Sequence, residues 1–273
     1  MGLNYGGGLH TPPSQSIDLA AYEGYIGRWS RLFIPTLLDA AKICPGDHVL
    51  DLATGPGEAA RMALPLIAPS GLVVGTDISQ AMVAAACERL ASKSFLPVVA
   101  DGHQLSFLNG TFDAVLCQLG LQFFSNRAQG LAEAHRVLRK EGRIAICVLG
   151  KPESVPVWGV LADELSRRLP AEREKLHLSF ALSDPDQLTG LVSCAGFREV
   201  TVARITHAGT IGSFDEYWAS IRAGIGMMPQ AYLALAETER LLVQREVERR
   251  LSGFEVAGKL IVPIEALIAA GRV

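Results

Sequence analysis

Ten residues constrain this chain more than any others: Val49-Leu50-Asp51-Leu52-Ala53-Thr54-Gly55-Pro56-Gly57-Glu58. An apolar run ends in a glycine turn, and the turn leads directly into a helical pattern. A short apolar run of this kind reads as a strand buried on both faces. The glycines allow a tight turn and let a ligand approach the main chain, while the helix start leaves N–H donors unpaired. Strand, glycine turn and helix together open a doubly wound α/β sheet. The pattern then repeats. Apolar runs are read as strands at His48–Ala53, Leu72–Asp77, Pro97–Ala100, Phe112–Leu119 and Arg143–Leu149. Helical stretches lie between them at Glu58–Ile67, Ser79–Ser92 and Arg127–Lys140, with Ser79 as an N-cap and Lys140-Glu141-Gly142 as a helix end. Short crossovers make the sheet largely parallel.

Composition narrows the class further. Of 273 residues, 49% are hydrophobic and 19% charged, which is ample for a core and excludes a disordered chain. Net charge is −3, and the absence of a basic run argues against binding nucleic acid through its phosphates. Mean hydropathy is +0.26, spread along the chain in runs shorter than the ~18 residues that span a bilayer. No integral membrane segment is expected. The apolar excess is expected to line a ligand pocket or the interface of a homodimer. The N-terminal stretch lacks a signal-peptide pattern and has Gly6 where myristoylation wants Ser or Thr, so it reads as a mobile or ligand-ordered tail. Five scattered cysteines without a CxxC pair read as reduced thiols of a cytoplasmic protein. Six dispersed histidines give no metal-ligand spacing, so no metal is expected.

Twenty residues beyond Gly57, Asp77 closes the second strand, where an acid accepts hydrogen bonds from a ribose diol. Any nucleoside-bearing cofactor fits that much. A dinucleotide fingerprint tolerates Ala60 at its third position, so the glycines alone do not choose between nicotinamide and S-adenosyl-L-methionine (SAM). Three features favour SAM. Helical segments precede the turn, Glu58 would repel a pyrophosphate, and a second acid, Asp101, followed by Gly102 and His103, stands where an adenine amino group is read. A nicotinamide dehydrogenase would also want a catalytic set such as Tyr-x-x-x-Lys, which is missing.

At this point the chain resembles the class I SAM-dependent methyltransferases. It is similar to the branch that acts in ubiquinone and menaquinone biosynthesis. The resemblance rests on VLDLATGPGE (49–58), GTDIS (75–79), VVADGHQLSF (98–107), FDAVLCQLGLQFF (112–124) and HRVLRKEGRIAI (135–146), with YEGYIGRWSR (22–31) and GKLIVPIEALIAAGRV (258–273) in support. It implies that Ala53, Gly55 and Gly57 line the methionine half of SAM. Asp77 would take the ribose, and Ile78 would pack on the adenine; Met82, on the helix after Asp77, is read either as padding for the adenine or as a core methionine. Asp101 and Gly102 would meet the adenine edge, and Gln118 and Leu119 would lie beside the sulfonium. The family usually has glycine where Ala53 stands, a mild departure.

The expected architecture is a single α/β domain with seven strands in a mixed, mostly parallel sheet, the last strand antiparallel beside the fifth. Residues 46–150 form the cofactor core, 1–45, 151–182 and 213–252 helical caps, and 196–207 and 258–273 closing strands. Tyr22, Tyr25 and Trp29 share a helical face and are read either as a packing stripe or as a lid over cofactor and acceptor. Phe123, after the fourth strand, carries the same two readings. His103, His177 and His207 are candidates for a general base by residue type alone. The expected activity is methyl transfer to a small, largely apolar metabolite, quinone-like or a secondary metabolite. The alternative is a protein of this fold that has lost methyl transfer and serves as a cyclase or binding module.

Overall fold

A computed structural model describes residues 18–273; the expected tail, residues 1–16 with Gly6, lies outside the described residues. Eight strands make one sheet. They are β1 (His48–Leu52), β2 (Leu72–Asp77), β3 (Phe95–Val99), β4 (Phe112–Gln118), β5 (Leu138–Leu149), β6 (Arg198–Ile211), β7 (Glu255–Val256) and β8 (Lys259–Arg272). Their order is β3-β2-β1-β4-β5-β8-β6, with the short β7 added on β8. The first five run parallel, and β8 runs antiparallel to both β5 and β6.

Continuous apolar strands form here because both faces are covered. Val49, Val73, Leu116 and Cys147 point to one side, against the helices Ile34–Ala40 and Glu58–Ile67 and the cap helix Pro156–Arg168. Leu50, Val74, Val115 and Ile146 point to the other, against Arg127–Val137 and Pro185–Cys194. Each fully buried Leu or Ile contributes roughly 1.5–3 kcal/mol, so the two clusters carry most of the stability.

The structure departs from the sequence reading in places. The run Lys140-Glu141-Gly142 does not end a helix. The helix stops at Val137, and these residues bulge out of β5, with Glu141 at φ 62° and the β4 register jumping from Phe112 to Ala114. A left-handed residue beside a glycine serves a bulge as well as a helix end. β6 continues beyond His207 to Ile211. The expected long helical insertion is three helices, Phe214–Arg222, Met227–Ala234 and Glu237–Leu251. Pro263, which in the sequence reads as a bulge or an edge position, lies in an internal strand, but β5 pairs β8 only over Ala266–Arg272, so at Pro263 one flank has no ladder bond to lose.

Strands β2 and β3 lie to one side of β1, and β4 lies to the other. The winding reverses between β1 and β4, and open α/β sheets bind ligands at the carboxyl edge of that crevice.

Candidate active site

The crevice begins where β1 ends. Asp51 is fully buried, and its Oδ2 accepts from Thr54 Oγ1 at 2.6 Å and from Ala60 N at 3.0 Å, folding the glycine turn back over the strand. Burial pushes its pKa up to about 6, against the pull of those two bonds. The turn is left-handed at Ala53 (φ 58°), Gly55 (φ 54°) and Gly57 (φ 84°). Gly57 also has no room for a side chain, since a Cβ there would stand 2.4 Å from Leu90 Cδ1.

Across the turn, Gly55 N donates to Asp77 Oδ2 at 2.9 Å and Ser79 N donates to Asp77 Oδ1 at 2.9 Å. Burial raises the Asp77 pKa, and its backbone donors oppose the rise. Ser79 caps the helix Gln80–Arg89 as expected, accepting from Met82 N. Beside it Ile78 presents an apolar side chain to solvent, 45% exposed, whereas Met82 is buried. At the end of β3, Asp101 Oδ1 accepts from His103 N at 2.9 Å and pairs with His103 Nδ1 at 2.7 Å. A Cβ on Gly102 would strike the Phe124 ring at 2.6 Å, so glycine is needed for that approach.

The other wall is the end of β4. Leu119 adopts φ 53°, and a Cβ on Gly120 would reach Ala53 Cβ at 2.6 Å, so the two strand ends touch. A left-handed conformation costs a non-glycine residue about 1–2 kcal/mol, and Ala53 and Leu119 both carry it at the crevice. Gln118 Nε2 donates to Ser30 O at 3.0 Å, while Gln118 Oε1 is buried with no partner among the described residues.

Ser30 belongs to the helix covering the crevice. This helix runs Leu19–Ser30 with a π turn at Glu23–Gly27; Tyr25 and Trp29 line one small cavity while Tyr22 faces the glycine turn, so the three do not make the single face expected. Tyr22 lies over the glycine turn, its Oη 3.7 Å from where a Gly55 Cβ would be, and burial and the Asp77 charge raise its phenol pKa. Tyr25 turns toward the cap, its ring edge-on to Trp158 at 5.9 Å. Trp29 packs over Gly209 of β6. Phe123 is partly buried in the turn after β4.

An ion-pair network fastens the helix down. Arg31, Arg61 and Arg89 converge on Glu58, and Glu23 pairs with Arg31 and Arg89. Burial alone would raise the Glu58 carboxyl, but the three arginines outweigh it and hold it low. Of this network only Glu58 drew notice in the sequence. Its partners are far apart along the chain, and only the glutamate's place in the first helical turn hinted at cations around it.

The histidines have other partners. His103 Nδ1 pairs with Asp101, and its Nε2 accepts from Asn126 N at 3.2 Å, so both ring nitrogens are engaged. His207 packs edge-on against Phe33 at 5.1 Å on β6. His177 neighbours Phe180 and Asp163 on the cap. The crevice therefore brings Ala53, Gly55, Gly57, Asp77, Gln118, Leu119 and Tyr22 together, with Asp101 and Gly102 at the β3 end and His177 and His207 elsewhere. Among the described residues no cluster of possible metal ligands occurs, and no helix is long and apolar enough to cross a membrane.

Residues 50–146 match the family described as a methyltransferase domain. A ubiquinone/menaquinone biosynthesis C-methyltransferase of Teredinibacter turnerae is 30% identical over 208 residues, covering 66% of this chain and 81% of the relative. A demethylmenaquinone methyltransferase of Corynebacterium kroppenstedtii is 34% identical over 186 residues, 66% of this chain and 74% of its own. Among solved structures, Haemonchus contortus phosphoethanolamine N-methyltransferase 2 in complex with S-adenosyl-L-methionine shares the fold. Its TM-score is 0.58 at 18% identity, covering 93% of this chain and 56% of that one.

Proposed function

Because this chain belongs to the class I SAM-dependent methyltransferases, we propose that it methylates a small, largely apolar aromatic acceptor of the quinol type. The relatives' names supply the quinone class, and the aromatic surface between lid and cap supports it.

The residues at the crevice suit SAM. An ionised carboxylate offers about four acceptor positions, and Asp77 spends some of its own on Gly55 and Ser79, which leaves capacity for the two hydroxyls of a ribose. This tethered carboxylate is the observation that carries the reading. Exposed Ile78 gives an adenine face something apolar to lie on, and Asp101 with Gly102 flanks its edge. Ala53, Gly55 and Gly57 keep side chains away from the methionine half, with Gln118 and Leu119 at the sulfur end. SAM, when bound, supplies a methyl group activated by a positively charged sulfur.

The chain's part is to bind, orient and exclude water. Tyr22 and the Glu58 network hold the lid over the turn, and positioning with desolvation accounts for much of the acceleration of an in-line displacement. With both nitrogens of His103 engaged, that residue braces the β3 loop. The free cysteines, three of them exposed, support a reducing compartment such as the cytoplasm.

Calorimetry with SAM, S-adenosylhomocysteine and NAD tests the cofactor, and transfer of a labelled methyl group to a reduced naphthoquinone tests the acceptor. SAM at a hundred times its Kd should stabilise the fold by about 2.7 kcal/mol. Heat with NAD and none with SAM would end this reading.

A further inference from the structure

A small cavity of ≈ 10 Å³ lies where the lid helix meets the cap, lined by Tyr25, Trp29, Trp158, Ile211, Tyr217 and Arg28 among others. The hydroxyls around it are not equivalent. Tyr217 Oη donates to Val157 O, and Ser220 Oγ donates to Tyr217 O at 2.6 Å. The guanidinium of Arg28 pairs with Glu216 at 2.7 Å. Tyr25 is 4% exposed, and its Oη has no hydrogen-bond partner among the described residues. An orphaned hydroxyl costs the fold free energy that a phenylalanine in the same hole would not. A tyrosine is explained there if something outside the fold completes its bond.

Tyr25 is carried by the helix that covers the crevice. Besides its ion pairs through Glu23 and Arg28, the lid meets the crevice at two points, with Tyr22 over the Gly55 turn and Ser30 on Gln118 at the end of β4. Tyr25 stands between them on the same helix, turned toward the cap. The cavity as it stands has room for about one water, so a ring could reach Tyr25 only if lid and cap part. The π turn with Gly24 and Gly27 is the segment of the lid that carries Tyr25. Two tryptophans and a second tyrosine form the walls, a surface suited to a flat ring.

We propose that Tyr25 is the residue that selects the acceptor, its phenol hydrogen-bonding an oxygen on the acceptor ring while Trp29, Trp158 and Tyr217 enclose that ring. This rests on the aromatic-acceptor reading above and assigns the oxygen-binding end of the site. Burial holds the Tyr25 phenol neutral, so it acts as a hydrogen-bond partner and not as a base. It is a specificity residue, and an acceptor lacking the oxygen leaves the buried hydroxyl unpaired and binds less well.

Two ring probes of the same shape, 1-naphthol and 1-methylnaphthalene, separate this from simple packing. Equilibrium dialysis with the full chain and saturating S-adenosylhomocysteine should show naphthol bound about tenfold more tightly. Tyr25→Phe should erase that preference, leave methylnaphthalene and SAM binding unchanged, and melt no lower than the wild type. Unchanged naphthol preference in Tyr25→Phe overturns the proposal. So does equal binding of both probes, or of neither, by the wild type, which decides the matter even if the variant fails to fold. Loss of S-adenosylhomocysteine binding by the wild type would strike the methyltransferase reading instead, and calorimetry without either probe reports it separately.

Discussion

The two halves of the crevice are built differently. On the β1–β2 side the carboxylates of Asp51 and Asp77 are tied to the main chain of the glycine turn and the next loop, while Asp51 Oδ1 and Thr76 Oγ1 are buried without partners among the described residues. On the lid and cap side, Tyr25 Oη, Gln118 Oε1 and Trp218 Nε1 are buried without partners among the described residues. Both halves bury polar atoms without partners, but one is held by bonds to its own main chain and the other by side chains from distant parts of the chain. A cofactor common to many reactions suits fixed backbone geometry, while an acceptor peculiar to one enzyme is recognised by side chains.

The sharpest break of this contrast is Gly57→Val. It places a β-branched residue at φ 84° and drives a Cβ toward Leu90. The left-handed penalty and the overpacking together should cost about 3–5 kcal/mol, read as a fall in melting temperature. Next comes pH. Asp51 has a folded pKa of about 6, above its unfolded value of 3.8, so the fold binds its proton more tightly. The stabilisation is full below about pH 4 and is lost as pH rises to 6, on the order of 3 kcal/mol. Asp51→Asn should flatten the melting temperature across that window relative to the wild type, and parallel curves would refute the assignment. Asp77→Ala should weaken SAM by about 1–3 kcal/mol in calorimetry and also lower the melting temperature, because the ribose acceptors go and Gly55 N and Ser79 N lose theirs. The smallest effect falls on the lid. Glu23→Gln removes a partly exposed partner of Arg31 and Arg89 and should cost less than about 1 kcal/mol. It should nevertheless raise amide exchange over residues 19–30, an effect absent if the lid is held by packing alone.

The two halves also differed in legibility. Strand, glycine turn and helix are local, and the twenty-residue step to Asp77 is set by one crossover, so Gly55, Gly57 and Asp77 could be read as one site. The lid could not be read in the same way. Its α periodicity around Tyr22, Tyr25 and Trp29 is real in the sequence, but the chain takes a π turn at Glu23–Gly27 and ties Glu23 to Arg89 across the fold, and a pattern of side chains reports neither. Gln118 was expected to face the sulfonium, and no local signal announced that its amide would meet Ser30 across the fold. The Lys140–Gly142 bulge failed for the opposite reason, since a glycine after a charged helical stretch is a common local signal for two different structures.

The place of β8 bears on how the chain reaches this state. Among the described strands, β6 pairs with β8 alone, and β8 is inserted between β5 and β6. During synthesis β6 therefore emerges with nothing to bind and waits through three helices until residues 259–272 have been made. Its closing contacts are among the most distant in sequence, which slows their formation, and in the interval the edge of β5 stands open to wrong partners. A nascent chain halted before residue 259 should keep its glycine turn and parallel core yet stick to chaperones, because the apolar edge awaiting β8 is still uncovered.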